Sequence, residues 1–260
     1  MYNFLVDRQL KSYNDGEITK ATVYKYKRLK SDLEAFTDDV LLSSITPLFV
    51  KNFNNFLLKK VKKNSANDKL KMLRTMFNIA VEERVIPTSP FKIRLRYDDV
   101  ETIPLEDYEV DHIYKRRFRK SHLSKVRDIF VFQCFTGLSY CDCKSLCKAD
   151  IKDGMIIKKR GKTNVTSFIP LLPRAEHILD KYNYKLPVIS NQKYNKYLQE
   201  IDPRLHSHLA RHTFASILIN KGASLQVISK VLGHSNTRIT ENAYARINNK
   251  TIVKSIVDLF

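Results

Sequence analysis

Apolar side chains recur at helical spacing through the first third of the chain. Val23, Tyr26, Leu29, Leu33 and Phe36 fall three or four residues apart and predict a helix over residues 20–36, preceded by a shorter one over 2–11. Thr46 followed by Pro47 pairs a capping hydroxyl with a first-turn proline, which opens a third helix with Phe49, Phe53, Phe56 and Leu57 inward. Ser65 is placed to open a fourth, burying Leu70, Leu73, Phe77, Ala80 and Val81. From Pro87 to Pro104 the apolar period is lost, and Pro87, Pro90 and Pro104 interrupt any helix. Residues 87–104 are therefore expected to be a linker between a domain at 1–86 and another at 105–260.

Beyond that stretch the pattern is mixed. Residues 105–119 predict a short polar helix, and an apolar helix begins near Lys125. The tripeptide Thr136-Gly137-Leu138 breaks it, and Leu146 closes the next helix. Two extended runs, residues 155–158 and 165–169, flank a basic turn that holds Lys159, Arg160, Gly161 and Lys162. Helices are expected over 174–180 and 194–201. Next, Leu209, Phe214, Ile217 and Leu218 give one helix a buried side with Gly222 as its stop; Ser224 caps another, with Leu225, Ile228, Val231 and Leu232 inward and Gly233 as its stop. The fold class is mainly α: an N-terminal helical bundle, then a mostly helical domain with a small antiparallel β-hairpin.

Charge changes the picture. Across 260 residues the formal net charge is +19. The excess is spread along the chain, and nucleic acid is the partner such a surface suggests. Lys20, Lys25, Lys27 and Arg28 lie on the outer side of the second helix, and Lys59, Lys60, Lys62 and Lys63 follow the third. Against the plainer reading of a solvated face, these two runs, and Arg160 on the basic turn, are expected to contact DNA. No apolar run approaches the ~20 residues that cross a bilayer, and the N-terminus lacks a signal-peptide pattern. A cytoplasmic protein with no membrane contact is expected. Its cysteines, 134, 141, 143 and 147, are then reduced. Their Cys-x-Cys-x3-Cys spacing sits in an apolar helical pattern and reads as small buried thiols; a metal site, the alternative, would favour paired Cys-x2-Cys spacing.

The candidate chemistry lies between His208 and Tyr244. His208 and Arg211, three apart, share a helix face. His234 follows the Gly233 stop, and Tyr244 comes ten residues later. A guanidinium, two imidazoles and a phenol suit holding a phosphodiester while a tyrosine oxygen attacks it. Tyr244 as a packing residue is the plainer alternative. His212 is expected to face away from His208, in the core or hydrogen-bonded to backbone.

In order and spacing, His208-Leu-Ala-Arg211, Leu232-Gly233-His234 and Tyr244 resemble the tyrosine site-specific recombinase, or phage-integrase, family. The Thr136-Gly-Leu turn, the hairpin with Arg160-Gly-Lys162-Thr and Ile169-Pro170-Leu171 fit the same pattern. The resemblance spans essentially the whole chain. It implies that residues 1–86 form the family's core-binding, SAM-like bundle and 105–260 its catalytic domain. It implies further that Tyr244 attacks the scissile phosphate to form a 3′-phosphotyrosyl link, without cofactor, ATP or metal. Arg211 would hold the non-bridging oxygens, His208 would bond the phosphate or assist the proton, and His234 would donate another hydrogen bond. Lys162 would be the general acid, with Lys158 and Lys159 as competitors for that role. The partners implied are double-stranded DNA with inverted-repeat core sites, a homo-tetramer on two duplexes, and an accessory DNA-bending or directionality factor. The apolar C-terminal segment, residues 247–260, is either a core helix or a dock for a neighbouring protomer.

One position departs from the family pattern. The first catalytic arginine normally follows the Thr-Gly-Leu turn, and here that position is Ser139, with Asp142 matching the acidic position three residues on. Serine cannot supply a bidentate positive fork. The same loss resembles the integrases of Bacteroides-type mobile elements, which favours an active integrase; Arg127 is the expected compensating arginine. The alternatives are an impaired, recombinase-derived DNA-binding protein and a type IB topoisomerase-like enzyme. Length leaves two possibilities, a compact recombinase or a piece lacking an arm-binding domain.

Overall fold

The computed structural model describes residues 1–100, 102–161 and 165–233. It divides into two compact units, Met1–Val100 and Glu101–Phe260.

The first unit is helical: α1 (Tyr2–Asn14), α2 (Lys20–Glu34), α3 (Pro47–Lys60) and α4 (Lys63–Glu82). The caps are local. Thr19 and Thr46 accept hydrogen bonds from the backbone N–H groups of Thr22 and Phe49, satisfying donors that a helix start leaves open. The fourth helix starts at Lys63, ahead of the Ser65 start expected from its hydroxyl. Leu29, Leu33, Val50, Phe53, Leu57, Leu70 and Phe77 are fully buried. Phe36 closes one end, with its ring 5.3 Å from those of Phe49, Phe53 and Phe56.

Part of the stretch expected to be a linker, residues 91–98, belongs to this unit instead. Phe91, Ile93 and Leu95 pack on this core. Asn67 donates to the carbonyl of Arg96 (2.8 Å), and Asn64 exchanges two hydrogen bonds with the backbone of Asp98 (2.7 and 2.8 Å). Residues 91–98 are an extended strap along α4. Prolines exclude helix but not packing, and the alternation Phe91, Ile93, Leu95 is that of a one-sided strand.

The second unit is organised around α6 (Ser121–Thr136), flanked by α5 (Asp107–Lys115) and followed by the five-residue α7 (Tyr140–Lys144). From Val126 to Thr136 every residue of α6 is buried, which explains its nearly continuous apolar sequence. Then come β1 (Ile151–Lys152), β2 (Met155–Lys159) and β3 (Thr166–Pro170), an antiparallel sheet in that order. Met155 pairs with Pro170 and Lys159 with Thr166. The sequence pattern missed β1 because two residues cannot show alternation. Its Asp153-Gly154 turn, both residues at positive φ, is nonetheless a hairpin signature. Helices α8 (Pro173–Lys181), α9 (Asn191–Ile201), α10 (Ser207–Asn220) and α11 (Leu225–Leu232) complete the unit. α10 and α9 pack on α6, and α11 on β3.

Two of the four cysteines correct the buried-thiol reading. Cys134 and Cys143 are buried, but Cys141 and Cys147 are exposed: Cys141 lies on the uncovered face of the short α7, and Cys147 lies beyond its end.

Candidate active site

The turn after α6 is the floor of the site. Gly137 ends the helix in the left-handed conformation (φ 62°), its N–H bonded to the carbonyl of Gln133 (2.8 Å). Buried Gln133 also donates to the carbonyl of Leu138 (3.0 Å) and accepts from the hydroxyl of Tyr194 (2.8 Å). An amide satisfied on both sides fixes the turn from within the core. Tyr140 stacks on Tyr194 (centroids 4.9 Å) and donates its hydroxyl to the carbonyl of Ile189. Burial pushes its phenol up to about 12, so this tyrosine stays protonated beside the turn.

Arg211 reaches the turn from α10. It donates to the carbonyl of Gly137 (2.8 Å) and to that of Leu232 (2.6 Å). Both carbonyls lie at helix C-termini, those of α6 and α11, where unpaired oxygens and the dipole favour a cation. The guanidinium is thereby locked where three helices meet. α11 stops at Gly233 in the left-handed conformation (φ 62°), next to His234 in sequence.

Ser139 caps α7: its hydroxyl accepts from the N–H of Asp142 (3.4 Å) and donates to that carboxylate (2.7 Å). The carboxylate is also bonded by Arg160 (2.9 Å) and by the N–H of Gly161 (3.1 Å). Burial pushes the Asp142 carboxyl up, but the bonds from Arg160, Ser139 and Gly161 outweigh it and hold it below the ordinary value. Arg160 was expected on a solvated turn, contacting DNA. It is instead 4 % exposed, with its Nε donating to Ser167 Oγ (2.8 Å) and its far nitrogen 3.5 Å from the carbonyl of Gly137. The reason is register. Ile156, Lys158 and Arg160 share the inner side of the hairpin, where Ile156 pairs with Ile169 and Lys158 with Ser167, and Arg160 extends the pairing through its N–H to the carbonyl of Val165 (2.9 Å).

The histidines also differ from expectation. His212 does not turn away from His208: four residues apart on α10, their rings meet edge to face at 4.6 Å. Burial, then the neighbouring His208, His206 and Arg211, bring His212 down to about 4. His206, which the pattern did not single out, caps α10 by accepting from the N–H of Leu209 (3.2 Å), and burial lowers it as well. For His212 the folded pKa lies below the unfolded value of 6.5, so the unfolded chain takes up the proton first and stability falls as pH drops from 6.5 towards 4. Urea midpoints at pH 7 and pH 4.5 should differ less in His212→Gln than in the wild type. An unchanged difference would remove His212 from the cause.

The remaining expected residues divide. Arg127 is nine residues before Thr136 on α6, about 13 Å along the helix axis. It is nearly buried, paired with Asp128 (2.7 Å) and bonded to the carbonyl of Arg116, and it lines an open cavity of about 250 Å3 with Lys115, Arg117 and Lys181. It is not at the turn and does not compensate Ser139 there. Lys158 is held by Asp150 and the carbonyl of Ser145 (both 2.6 Å), which removes one competitor of Lys162; Lys159 points outward and is exposed. Lys20, Lys25, Lys27, Arg28, Lys59, Lys60, Lys62 and Lys63 are all exposed, with Lys63 paired to Asp98 and Lys60 over the ring of Phe56. Lys162, His234, Tyr244 and residues 247–260 lie outside the described residues. Among the described residues no cluster of His, Cys, Asp or Glu is arranged to hold a metal, and no helix is long and apolar enough to cross a membrane.

Comparisons with known proteins agree with this layout. The family model for the phage integrase SAM-like domain matches residues 4–98, and that for the phage integrase family matches residues 188–251. Tyrosine recombinase XerC of Staphylococcus carnosus is 22 % identical, covering 96 % of this chain and 90 % of its own. The protein of the same name from Thermodesulfovibrio yellowstonii is 26 % identical over 86 % of each. Among solved structures, a lambda integrase dimer bound to a COC' core site superposes with a TM-score of 0.79 at 19 % identity, over 96 % of both chains. The Tn1549 transposon integrase in complex with a circular intermediate DNA superposes at 0.77 and 17 %, over 100 % of this chain and 99 % of the other. A lambda integrase tetramer bound to a Holliday junction superposes at 0.74 and 20 %, over 90 % and 77 %.

Proposed function

Because the chain belongs to the phage integrase family of tyrosine site-specific recombinases, we propose that it cuts and rejoins DNA strands through Tyr244. The phenol oxygen attacks the scissile phosphate, forms a 3′-phosphotyrosyl ester and releases a 5′-hydroxyl. The reverse attack by a 5′-hydroxyl rejoins the strand, and the ester retains the bond energy, so no ATP or metal is required. The observation that carries this reading is Arg211, fixed between the Gly137 turn and the end of α11 at Leu232, two residues before His234. There it offers a preorganised cation to the non-bridging oxygens as charge builds. His208, His234 and Lys162 take the roles of phosphate donors and leaving-group acid; a phenol of pKa near ~10 needs such proton traffic at neutral pH.

The first unit is the core-binding half, and its exposed basic residues on α2 and around the end of α3 contact phosphates. The substrate is duplex DNA with inverted-repeat core sites, bound by four copies over two duplexes. The lambda integrase structures on a core site and a Holliday junction support that arrangement, and the Tn1549 integrase supports action on a mobile element, in its integration or excision. Membership of the Bacteroides-type branch, an accessory bending or directionality factor and a place in the bacterial cytoplasm, on the nucleoid when bound, complete the reading.

Ser139 favours a second reading, a relative that binds DNA without cutting it. A nicked suicide substrate separates the two, because loss of the short fragment that carries the released 5′-hydroxyl traps the cut state. The expected result is a covalent protein–DNA adduct whose nucleotide maps to the Tyr244 peptide by mass spectrometry. Tight binding with no adduct overturns the proposal. Supercoil relaxation that is indifferent to the inverted repeats would instead favour a topoisomerase-like enzyme.

A further inference from the structure

The pocket around Arg211 contains a buried negative charge, and the way it is offset identifies a further functional residue. Asp142 is 4 % exposed and is held ionised by its partners. Were Arg211 the sole described cation beside it, the two charges would cancel, and an entering phosphate would meet a carboxylate in a poorly solvated place. Ser139, which reaches that carboxylate, brings no charge. Arg160 does. Its guanidinium pairs with Asp142 (2.9 Å), and its far nitrogen approaches the carbonyl of Gly137, the same oxygen that Arg211 holds at 2.8 Å. It also lies against Gly233: a Cβ there would stand 3.0 Å from Arg160 Cγ and 3.3 Å from its Nε. The glycine thus opens the space the arginine fills, one residue from His234.

We propose that Arg160 is the second guanidinium of the cleavage pocket, brought in by the hairpin to Asp142 and the Gly137 carbonyl in place of an arginine at position 139. It offsets Asp142, leaves the pocket net positive for the phosphate and fixes the turn on which Arg211 rests. It is a positioning residue: its hydrogen bonds run to Asp142, Ser167 and the backbone, and it acts on the phosphate through charge and through Arg211. A guanidinium is required because one fork spans Ser167, Asp142 and the Gly137 carbonyl, which a lysine ammonium on its single stem does not.

The inference rests on the strand-cleavage reading, and one experiment tests the two separately. Adduct formation on the nicked substrate is timed for wild type, Arg160→Ala, Arg160→Lys and the double variant Arg160→Ala/Ser139→Arg, alongside DNA affinity and thermal unfolding. Arg160→Ala should form adduct about 10²–10³-fold more slowly with affinity within about threefold of wild type, the loss seen when one preorganised donor is removed. Arg160→Lys should fall between the two. Ser139→Arg should restore at least about tenfold in the alanine background, because residue 139 already reaches Asp142 and there returns a guanidinium to the same carboxylate; a merely structural bridge would restore thermal unfolding without restoring the rate. A wild-type rate for Arg160→Ala, or a folded, DNA-binding double variant no faster than the single one, overturns the inference. If Arg160→Ala does not fold, Arg160→Lys decides: slower cutting at wild-type affinity supports it and an unchanged rate overturns it. If the wild type itself forms no adduct, the reading of function fails instead.

Discussion

Arg211→Ala is expected to slow adduct formation by about 10²–10³-fold, the range for removing one donor aimed at developing charge. The effect should fall on the chemical step, with duplex affinity changed only a few-fold, since most binding energy comes from the many exposed basic side chains. Stability should fall as well. The Gly137 and Leu232 carbonyls both take bonds from this guanidinium, and a buried acceptor left unmade costs about 1–3 kcal/mol. Arg211→Lys separates the two effects. A lysine keeps the charge, but its compact ammonium does not reproduce the planar fork across two helix ends. It should recover part of the stability and less of the rate. Timed trapping together with urea unfolding reads both, and a wild-type cutting rate in Arg211→Ala would remove this residue from the mechanism.

Much of this site was legible in the chain because it depends on near neighbours. His208 and Arg211 are one helical turn apart, and the stops at Gly137 and Gly233 are written as glycines at the ends of apolar runs. Ser139 was equally visible as a departure. What replaces it was not. Arg127 was singled out because a charge entered an apolar helix, yet that charge is answered by the adjacent Asp128 (2.8 Å) and belongs to another part of the unit. Arg160 looked like a turn lysine's equivalent among Lys159 and Lys162, whereas its partners are Asp142, Ser167 and Gly137, all brought close by tertiary packing. Strand alternation was the available signal: counting inward positions 156 and 158 forward reaches 160. His212 was misread for a simpler reason, since a spacing of four places two rings on one helix face as surely as a spacing of three. The strap over residues 91–98 shows the same limit, because its clamps, Asn64 and Asn67, are polar residues of α4 that carry no mark of their distant partners.

Gly137→Ala should be the most damaging methyl group that can be added to the site. At φ 62° an L side chain costs about 1–2 kcal/mol. The new Cβ would also stand 2.4 Å from Phe214 Cδ1 and 2.8 Å from Leu232 Cδ2, both in the core, and overpacking there adds about 1–3 kcal/mol. The expected loss is about 2–5 kcal/mol, which for a unit of this size lowers Tm by roughly 5–15 °C. Gly222→Ala is the matched comparison. Its φ of 83° imposes the same backbone strain, but nothing lies within 4 Å of the added carbon, so only the first cost applies. The difference between the two variants therefore isolates packing from conformation. Equal losses would mean that Phe214 and Leu232 give way around the added carbon while the turn keeps its place. Strand cutting, which needs Arg211 held by the Gly137 carbonyl, should then run at the wild-type rate in both. A larger loss in Gly137→Ala, with slower cutting among the molecules that remain folded, would show that the rigidity of the turn is transmitted to the guanidinium it holds.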